Sequence, residues 1–403
     1  MRKMEKYLWV GSYSDDVAYQ KLIQRGYTNA SQHLAQKNIL EGLEEVKNIH
    51  FDTIGVILLP NDLKCVPSIH FSHAKESKDV LVGYKNIQYF NRFLAIKSVC
   101  SEVTNYLKSL QKTDHLEVYV YEMRSACLLP LKYIKRAFNA KVHLIVPDLP
   151  MYMSGKYSLV KRILKWIDGL LIQHGMKYVD DYILFASPMA QYLKLPEDKW
   201  MTMEGSIHVN QLYSAQTFEK TPTDKFVLMY SGIIDASYGL ENLIHAVSEL
   251  GDGYELWISG SGVSEKKVSW LAEQCSNVTY FGYLPSRESV LAYQRSASAL
   301  VNIRDPQNPA SRYCFPSKLF EYMLSGKPVI STHINGIPEE YYDFLIEAKD
   351  ISVPALKEAI QRAANMGSKE KVNLVQNAAA FVCNKKNNVA QAKLIDDFVT
   401  KRM

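Results

Sequence analysis

Apolar positions along this chain gather into short runs, set apart by longer segments where they recur at helical spacing. In the first half the strand-like runs are YLWVG (7–11), FDTIGVILL (51–59), LEVYVY (116–121), KVHLIVP (141–147) and DDYILFA (180–186). In the second half KFVLMYSG (225–232) is followed by the helical GLENLIHAVSEL (239–250) and then by YELWISGSG (254–262). VSWLAEQC, NVTYFG, SRESVLAYQRSAS and ALVNIR continue the alternation, and a helix opening near Pro316 leads into KPVIST (327–332). Short apolar strands joined by amphipathic helices predict parallel sheets with right-handed crossovers.

One polar stretch, QTFEKTPTDK (216–225), carries neither period and reads as a linker. It separates an N-terminal domain (1–215) from a C-terminal one (226–385). The remaining 386–403 holds NVAQAKLIDDFV (388–399), a helix expected to pack back on the first domain. A length of 403 residues suits two cores better than one. The expected fold class is therefore α/β, with two doubly wound Rossmann-like domains facing a central cleft. Such sheets bind ligands beyond the carboxyl ends of their strands.

Composition narrows the function classes. A hydrophobic content of 47% with 22% charged residues is that of an ordinary globular protein. No apolar run approaches the roughly 18 residues that span a bilayer, and MRKMEKYLWVGSYSDD is too briefly apolar for a signal peptide. A cytoplasmic location is expected. The six cysteines are scattered without a C-x-x-C pair, which predicts free, mostly buried thiols.

The net charge of +5 is unevenly placed: residues 1–215 hold 27 Lys+Arg against 21 Asp+Glu, and the rest 20 against 21. That excess is either plain solvation or a first domain that meets anionic lipid or an anionic acceptor. Within it, KYSLVKRILKWIDGLLIQHGMK (156–177) sets Lys156, Lys161, Arg162 and Lys165 beside Leu, Ile and Trp166 at helical spacing. Such a helix either lies on an anionic membrane surface or packs its apolar face on its own domain. The small excess, with no recognised module, argues against nucleic acid.

The segment RYCFPSKLFEYMLSGKPVIST (312–332) carries the most chemistry. Pro316 suits a first helical turn, where its missing N–H costs nothing. The amides of that turn, at Ser317 and Lys318, form a site for phosphate, and Lys318 adds a full charge. Glu321 lies one turn beyond Ser317, placed to accept hydrogen bonds from two ribose hydroxyls. A plain strand–turn–helix, with Glu321 only complementing the helix dipole, fits the same residues. Gly232, Gly260, Gly262 and Gly282 all follow predicted strands, where glycine lets backbone approach a ligand or simply makes a tight turn. In the first half Gly11, Asp15, Asp16 and Asp148 fall at strand ends. Asp148 is a candidate to accept an acceptor's hydroxyl proton, or else a turn or cap residue. Gly336, Glu339 and Glu340 in NGIPEEYYDF (335–344) either line a sugar pocket or form a solvated acidic turn.

Together YSGIIDASYGLENLI, ISGSG, NVTYFGYL, FPSKLFEYMLSGKPVIST and NGIPEEYYDF resemble the donor domain of the GT-B glycosyltransferases, over residues 225–345. The likeness is to family 4, the group 1 enzymes, in a bacterial branch that builds surface polysaccharides. GYTNASQHLAQKNILEGL (26–43) and IVPDLPMYM (145–153) extend it thinly into the first half. The resemblance implies a retaining hexosyltransferase that uses a nucleotide-diphosphate sugar, UDP- or GDP-linked, and a glycan or polyprenyl-diphosphate-linked acceptor. Glu321 matches the ribose-holding glutamate of the family's Glu-x7-Glu motif. The first glutamate falls on Tyr313, whose hydroxyl, or the amides of residues 314–316 including Phe315, would replace it. The family's Arg and Lys of the glycine loop fall on Ile233 and Tyr238, so Lys318, with Arg304 or Arg312, is the expected substitute charge. Tyr283 beside Gly282 is expected near the base. The His that often precedes the family's Asp is Pro147 here, leaving Asp148.

No Asp-x-Asp triplet occurs, so neither metal nor cofactor is expected. The rival readings are a sugar-nucleotide epimerase and a catalytically silent GT-B subunit that stabilises a partner transferase.

Overall fold

The computed structural model describes residues 5–27, 30–59, 64–112, 114–152, 159–208, 224–284 and 286–401. The chain forms two compact units: residues 1–206 with 388–403, and residues 207–387. Most of the expected linker, 216–223, lies outside the described residues.

The first unit carries β1 (Glu5–Gly11), β2 (Asp52–Gly55), β3 (Cys65–Val66), β4 (Ile69–Phe71), β5 (Asp79–Leu81), β6 (Tyr84–Lys85), β7 (His115–Tyr121), β8 (Lys141–Val146), β9 (Asp181–Leu184) and β10 (Trp200–Thr202). Its helices are α1 (Asp16–Ile23), α2 (Ala30–Lys47), α3 (Asn91–Ser109), α4 (Ser125–Leu128), α5 (Leu131–Ala137), α6 (Leu159–Met176) and α7 (Pro188–Leu193). Eight strands form one sheet in the order β10-β9-β8-β7-β1-β2-β5-β4. It is parallel except where β4 runs against β5. The apolar run 51–59 is a strand only to Gly55. Beyond it the chain leaves the ladder, and the Leu59 amide donates to the Tyr84 hydroxyl at 2.9 Å.

The second unit carries β11 (Phe226–Ile233), α8 (Leu240–Leu250), β12 (Tyr254–Ser261), α9 (Glu265–Glu273), β13 (Val278–Tyr280), α10 (Arg287–Ser296), β14 (Ala299–Asn302), α11 (Pro309–Arg312), α12 (Lys318–Met323), β15 (Val329–Thr332), β16 (Ile346–Ala348), α13 (Val353–Asn365) and α14 (Ser368–Lys385). The sheet order is β13-β12-β11-β14-β15-β16, parallel throughout. Counted from its own first strand this is 3-2-1-4-5-6, the dinucleotide-fold order whose direction reverses between the first and fourth strands. Alternate residues of each strand feed two cores. Leu228, Leu256, Ile258, Val301 and Ile330 pack on one face. Val227, Met229, Trp257, Leu300 and Val329 pack on the other. Burial on both faces explains why these strands read as continuous apolar runs.

The last helix, α15 (Asn388–Thr400), returns to the first unit and lies on α2. The approach is close: a Cβ on Gly42 would fall 2.4 Å from the Asn388 carbonyl oxygen. Lys47 pairs with Asp396 at 2.7 Å across the same contact. All six cysteines are free, but only Cys127 is buried, a correction to the expectation of mostly buried thiols.

Candidate functional site

In the second unit the strand order reverses between β11 and β14, and the segments leaving those two strands form the candidate site. Ser231 and Gly232 end β11, Arg304 follows β14, and α12 brings Lys318 and Glu321 to the same end. The helix expected from Pro316 starts only at Lys318 and runs six residues. The Pro316 carbonyl instead accepts from the Leu319 amide at 2.8 Å, so the entry is a tight turn.

Buried hydrogen bonds tie these residues together. The Ser231 amide donates to the Tyr322 hydroxyl at 3.0 Å, and that hydroxyl donates to the Ser231 carbonyl at 2.9 Å. Burial pushes the Tyr322 phenol up to about 12, so it stays a donor. Lys318 turns its Nζ back onto the Ser231 carbonyl at 3.0 Å. Burial lowers its pKa against the pull of Glu321. Glu321 accepts from Gln294 Nε2 at 2.8 Å and has Arg287 3.6 Å from its other oxygen. Its side chain keeps 16% of its surface exposed, enough to meet a ligand.

Arg304 stacks over the Tyr238 ring, 4.4 Å from the centroid, and its backbone is pinned on both sides by Thr332 Oγ1. Burial works against its charge, but Cys314, Tyr238 and Tyr230 outweigh it and hold the guanidinium protonated. A cation thus stands beside Tyr238, where the glycine-loop residue itself is uncharged. Ile233 is exposed and apolar. Arg312 lies over the Tyr313 ring at 5.8 Å, on the exposed side of the preceding turn.

Phe315 is expected to act through its amide, not its ring. Its ring packs between Phe320 and Tyr341 in the core, so only its backbone faces the site segment. Gly260, at φ +146°, is required by its neighbour strand: a Cβ there would lie 1.8 Å from the Gly232 carbonyl oxygen. Gly262 and Gly336 are likewise packed on protein backbone, at Ile234 and Cys314. Gly282 faces open space and Tyr283 is 77% exposed beside it. Glu339 pairs with His333 at 3.1 Å and Glu340 with Lys386 at 2.9 Å, so both carboxylates have partners within the unit.

In the first unit the strand order reverses between β1 and β7. Gly11 is closed in by α2, since a Cβ there would meet Gln36 Oε1 at 2.5 Å. Asp15 caps α1 by accepting from the Ala18 amide at 2.7 Å, and Asp16 pairs with Lys37. Asp148 is exposed after β8. The residues that the sequence did not single out are Glu122 and Arg124, just after β7. Glu122 adopts φ +76°, a left-handed conformation that costs a non-glycine residue about 1–2 kcal/mol. Its carboxylate accepts from Arg124 Nε and Gln32 Nε2. Gln32 and Gln36 both donate to Ser12 Oγ, at 3.0 and 2.6 Å. Burial raises the Glu122 carboxyl, Arg124 opposes this, and Asp148 adds to the rise. The only sequence signal was a charged pair closing an apolar strand, as YEMR does after LEVYV.

Helix α6 is exposed along one part and packed along another. Leu159, Val160, Ile163, Trp166 and Leu170 are 46–71% exposed, while Ile172 and Gly175 are buried. Its last turn is buried against the unit; earlier, Leu164 and Ile167 are half-buried and Asp168 accepts from Ser125 at 2.5 Å, while the side chains named above stay exposed. Arg92, at the start of α3, pairs with Asp168 of α6 at 2.6 Å, beside exposed Phe90 and Phe93. Among the described residues no helix is long and apolar enough to cross a membrane.

Residues 225–366 match the family model described as Glycosyl transferases group 1. No curated protein matches the chain. The fold is similar to sucrose-phosphate synthase from Thermosynechococcus elongatus, at 15% identity and TM-score 0.66, covering 98% of this chain and 99% of that one. It is also similar to an α,α-trehalose-phosphate synthase (UDP-forming) from Burkholderia xenovorans, at 9% identity and TM-score 0.68, covering 98% and 100%. A lipopolysaccharide outer core galactosyltransferase, WaaB, matches at 12% identity and TM-score 0.63, covering 99% and 100%. At these identities the likeness carries the fold alone, two Rossmann-like domains of the GT-B kind. The matched domain identifies the chain as a glycosyltransferase.

Proposed function

We propose that this chain is a retaining family 4 glycosyltransferase, moving a sugar from a UDP- or GDP-linked donor to a glycan or polyprenyl-diphosphate-linked acceptor in surface-polysaccharide synthesis. The observation that carries it is Glu321, a partly exposed carboxylate held by Gln294 and Arg287 and interacting with Lys318, at the switch point of a 3-2-1-4-5-6 sheet. Cleaving a sugar–phosphate bond builds negative charge on the departing diphosphate. Preorganised donors aimed at that charge supply the largest stabilisation. Arg304 and Lys318 take that role, Lys318 by releasing Ser231. Glu321 accepts the two ribose hydroxyls through its remaining lone pairs. In the first unit Asp148, with Glu122 and Arg124 beside it, takes the acceptor's hydroxyls.

The deciding experiment is a thermal-shift panel of UDP, GDP, dTDP, ADP and CMP. A ligand at 100 times its dissociation constant stabilises by about 2.7 kcal/mol. One nucleoside diphosphate stabilising wild type but not Glu321→Ala supports the reading and names the donor class. No shift from any of them rejects it. In this reading chemistry needs no metal: turnover should survive excess chelator, and strict dependence on Mn²⁺ or Mg²⁺ would contradict it.

The exposed face of α6 supports a peripheral place on an anionic, cytoplasmic membrane surface, where Trp166 and Ile163 enter the headgroup region beside Arg162. Vesicles rich in anionic lipid should sediment the protein at low salt and release it at high salt. Equal sedimentation with neutral vesicles argues against it.

A second reading, a silent GT-B subunit stabilising a partner, draws on the loss of charge at Ile233 and Tyr238 and of the carboxylate at Tyr313. Slow release of nucleoside diphosphate from donor without acceptor separates them, because only a transferase leaks it.

A further inference from the structure

We propose that Gln294 is a positioning residue: α10 carries it into the core of the second unit to fix the carboxylate of Glu321 against the end of β11. The inference rests on the reading of Glu321 as the carboxylate that holds the donor's ribose.

Gln294 is fully buried. Its Nε2 donates in two directions, to Glu321 Oε1 at 2.8 Å and to Ser231 Oγ at 3.1 Å. One amide therefore joins the carboxylate to the strand end whose carbonyl is gripped by Tyr322 and Lys318. Arg287, seven residues earlier and so on the same face of α10, stands 3.6 Å from Glu321 Oε2. The carboxylate is addressed on both oxygens by one helix. That helix is itself anchored: Tyr293 packs against Trp257 and Phe281, and Ser286 caps its start. A carboxylate on a six-residue helix has little local restraint of its own, and α10 supplies it.

The orphaned end of the same amide separates a positioning role from a purely structural one. Gln294 Oε1 is buried and has no hydrogen-bond partner. A buried polar atom left unpaired destabilises a fold. A methionine of similar length would fill the space without that cost. The unpaired Oε1 offsets part of what the two Nε2 hydrogen bonds contribute to stability, whereas holding Glu321 requires an N–H donor at this point.

The test uses the full chain and the nucleotide panel above, with affinities measured by calorimetry. Gln294→Met should weaken the nucleotide that wild type binds about tenfold, roughly the loss of one charge-assisted hydrogen bond. The ligand-free melting temperature should hold or rise. Gln294→Glu should bind weakly at pH 8, where two carboxylates face each other. It should recover toward pH 5.5 as the new carboxyl takes a proton and again donates. Adding Gln294→Met to Glu321→Ala should cost nothing further. Unchanged affinity in Gln294→Met, or an affinity loss that merely tracks a fallen melting temperature, overturns the proposal. So does a Gln294→Glu variant with no pH recovery. If wild type binds none of the nucleotides, the donor reading falls first; if wild type binds and only Glu321→Ala loses binding, the role of Gln294 falls alone.

Discussion

The two units place polar side chains at equivalent points, where strand order reverses, yet they hold them differently. In the second unit Ser231, Gln294, Glu321 and Tyr322 form a chain of ordinary hydrogen bonds around a carboxylate that still faces outward. In the first unit Glu122 sits in a left-handed conformation and is engaged by Arg124 and Gln32. The second unit thus leaves its carboxylate partly exposed, as the proposed donor contact requires, while the first holds one under backbone strain. Strained residues of this kind persist where the surrounding structure over-determines them, often at functional sites.

The largest expected effect tests the second unit. Glu321→Ala removes two charge-assisted hydrogen bonds to the donor, about 3–6 kcal/mol at stake. The value of kcat/KM should fall about 10²–10⁴-fold. Activity within tenfold of wild type would strip Glu321 of its assigned role and leave the comparison without its ligand-facing member.

The next largest separates the units by their titration. His73 is buried between Asp79 at 2.7 Å and Glu44 at 3.0 Å, within the first unit. Burial lowers its pKa, but the two carboxylate hydrogen bonds outweigh that and raise it to about 9. The charged form is favoured in the fold, so this stabilisation is complete below the unfolded value near 6.5. It is lost as pH rises through about 9, and is worth about 3 kcal/mol. His33 has the opposite sign: burial and then Lys37 lower it to about 4, and its neutral ring stacks on Tyr19. Its contribution is present above about 6.5 and fades as pH falls toward 4. Wild-type stability should therefore decline on both sides of neutrality. His73→Gln should flatten the alkaline decline alone and His33→Gln the acid one, followed by chemical denaturation. Both limbs surviving in both variants would show that these histidines do not distinguish the first unit.

Legibility in the sequence follows the same division. Lys318 and Glu321 were visible because one continuous segment, 312–332, encodes them beside the strand they serve. The alternating strands were visible because two-faced burial writes itself as short apolar runs. Gln294 was not, because a lone glutamine in SRESVLAYQRSAS carries no spacing signal; only the packing of α10 brings it to Glu321. Glu122 was missed for a related reason. Its neighbours come from residues 32, 124 and 148, and no local pattern announces a left-handed residue other than glycine or asparagine.

A smaller effect probes the first unit's site directly. Glu122→Gln keeps the shape but removes the charge facing Asp148 and Arg124. Turnover on acceptor should drop about 100-fold, the lower end for a group assisting proton transfer. The nucleotide-induced thermal shift should stay as in wild type, since the donor groups lie in the other unit. A loss of nucleotide binding instead would mean that Glu122 acts on folding rather than on the acceptor.

The smallest effect sets the family's pattern against this chain's own geometry. The resemblance expects a Lys at position 238, so Tyr238→Lys would on that logic strengthen donor binding. The structure argues the reverse. The Tyr238 ring lies under the Arg304 guanidinium at 4.4 Å, an interaction worth about 0.5–2 kcal/mol that also fixes where the cation points. Lysine there would remove the stack and set a like charge against Arg304. Donor affinity should fall about three- to tenfold, with the loss largest at low salt, where the repulsion is least screened. A gain in affinity would mean that the diphosphate site lacks a cation, and that Arg304 does not replace the missing lysine. A loss would show that the charge has moved from the loop after β11 to the end of β14, keeping the site's electrostatics while changing the residue that supplies them.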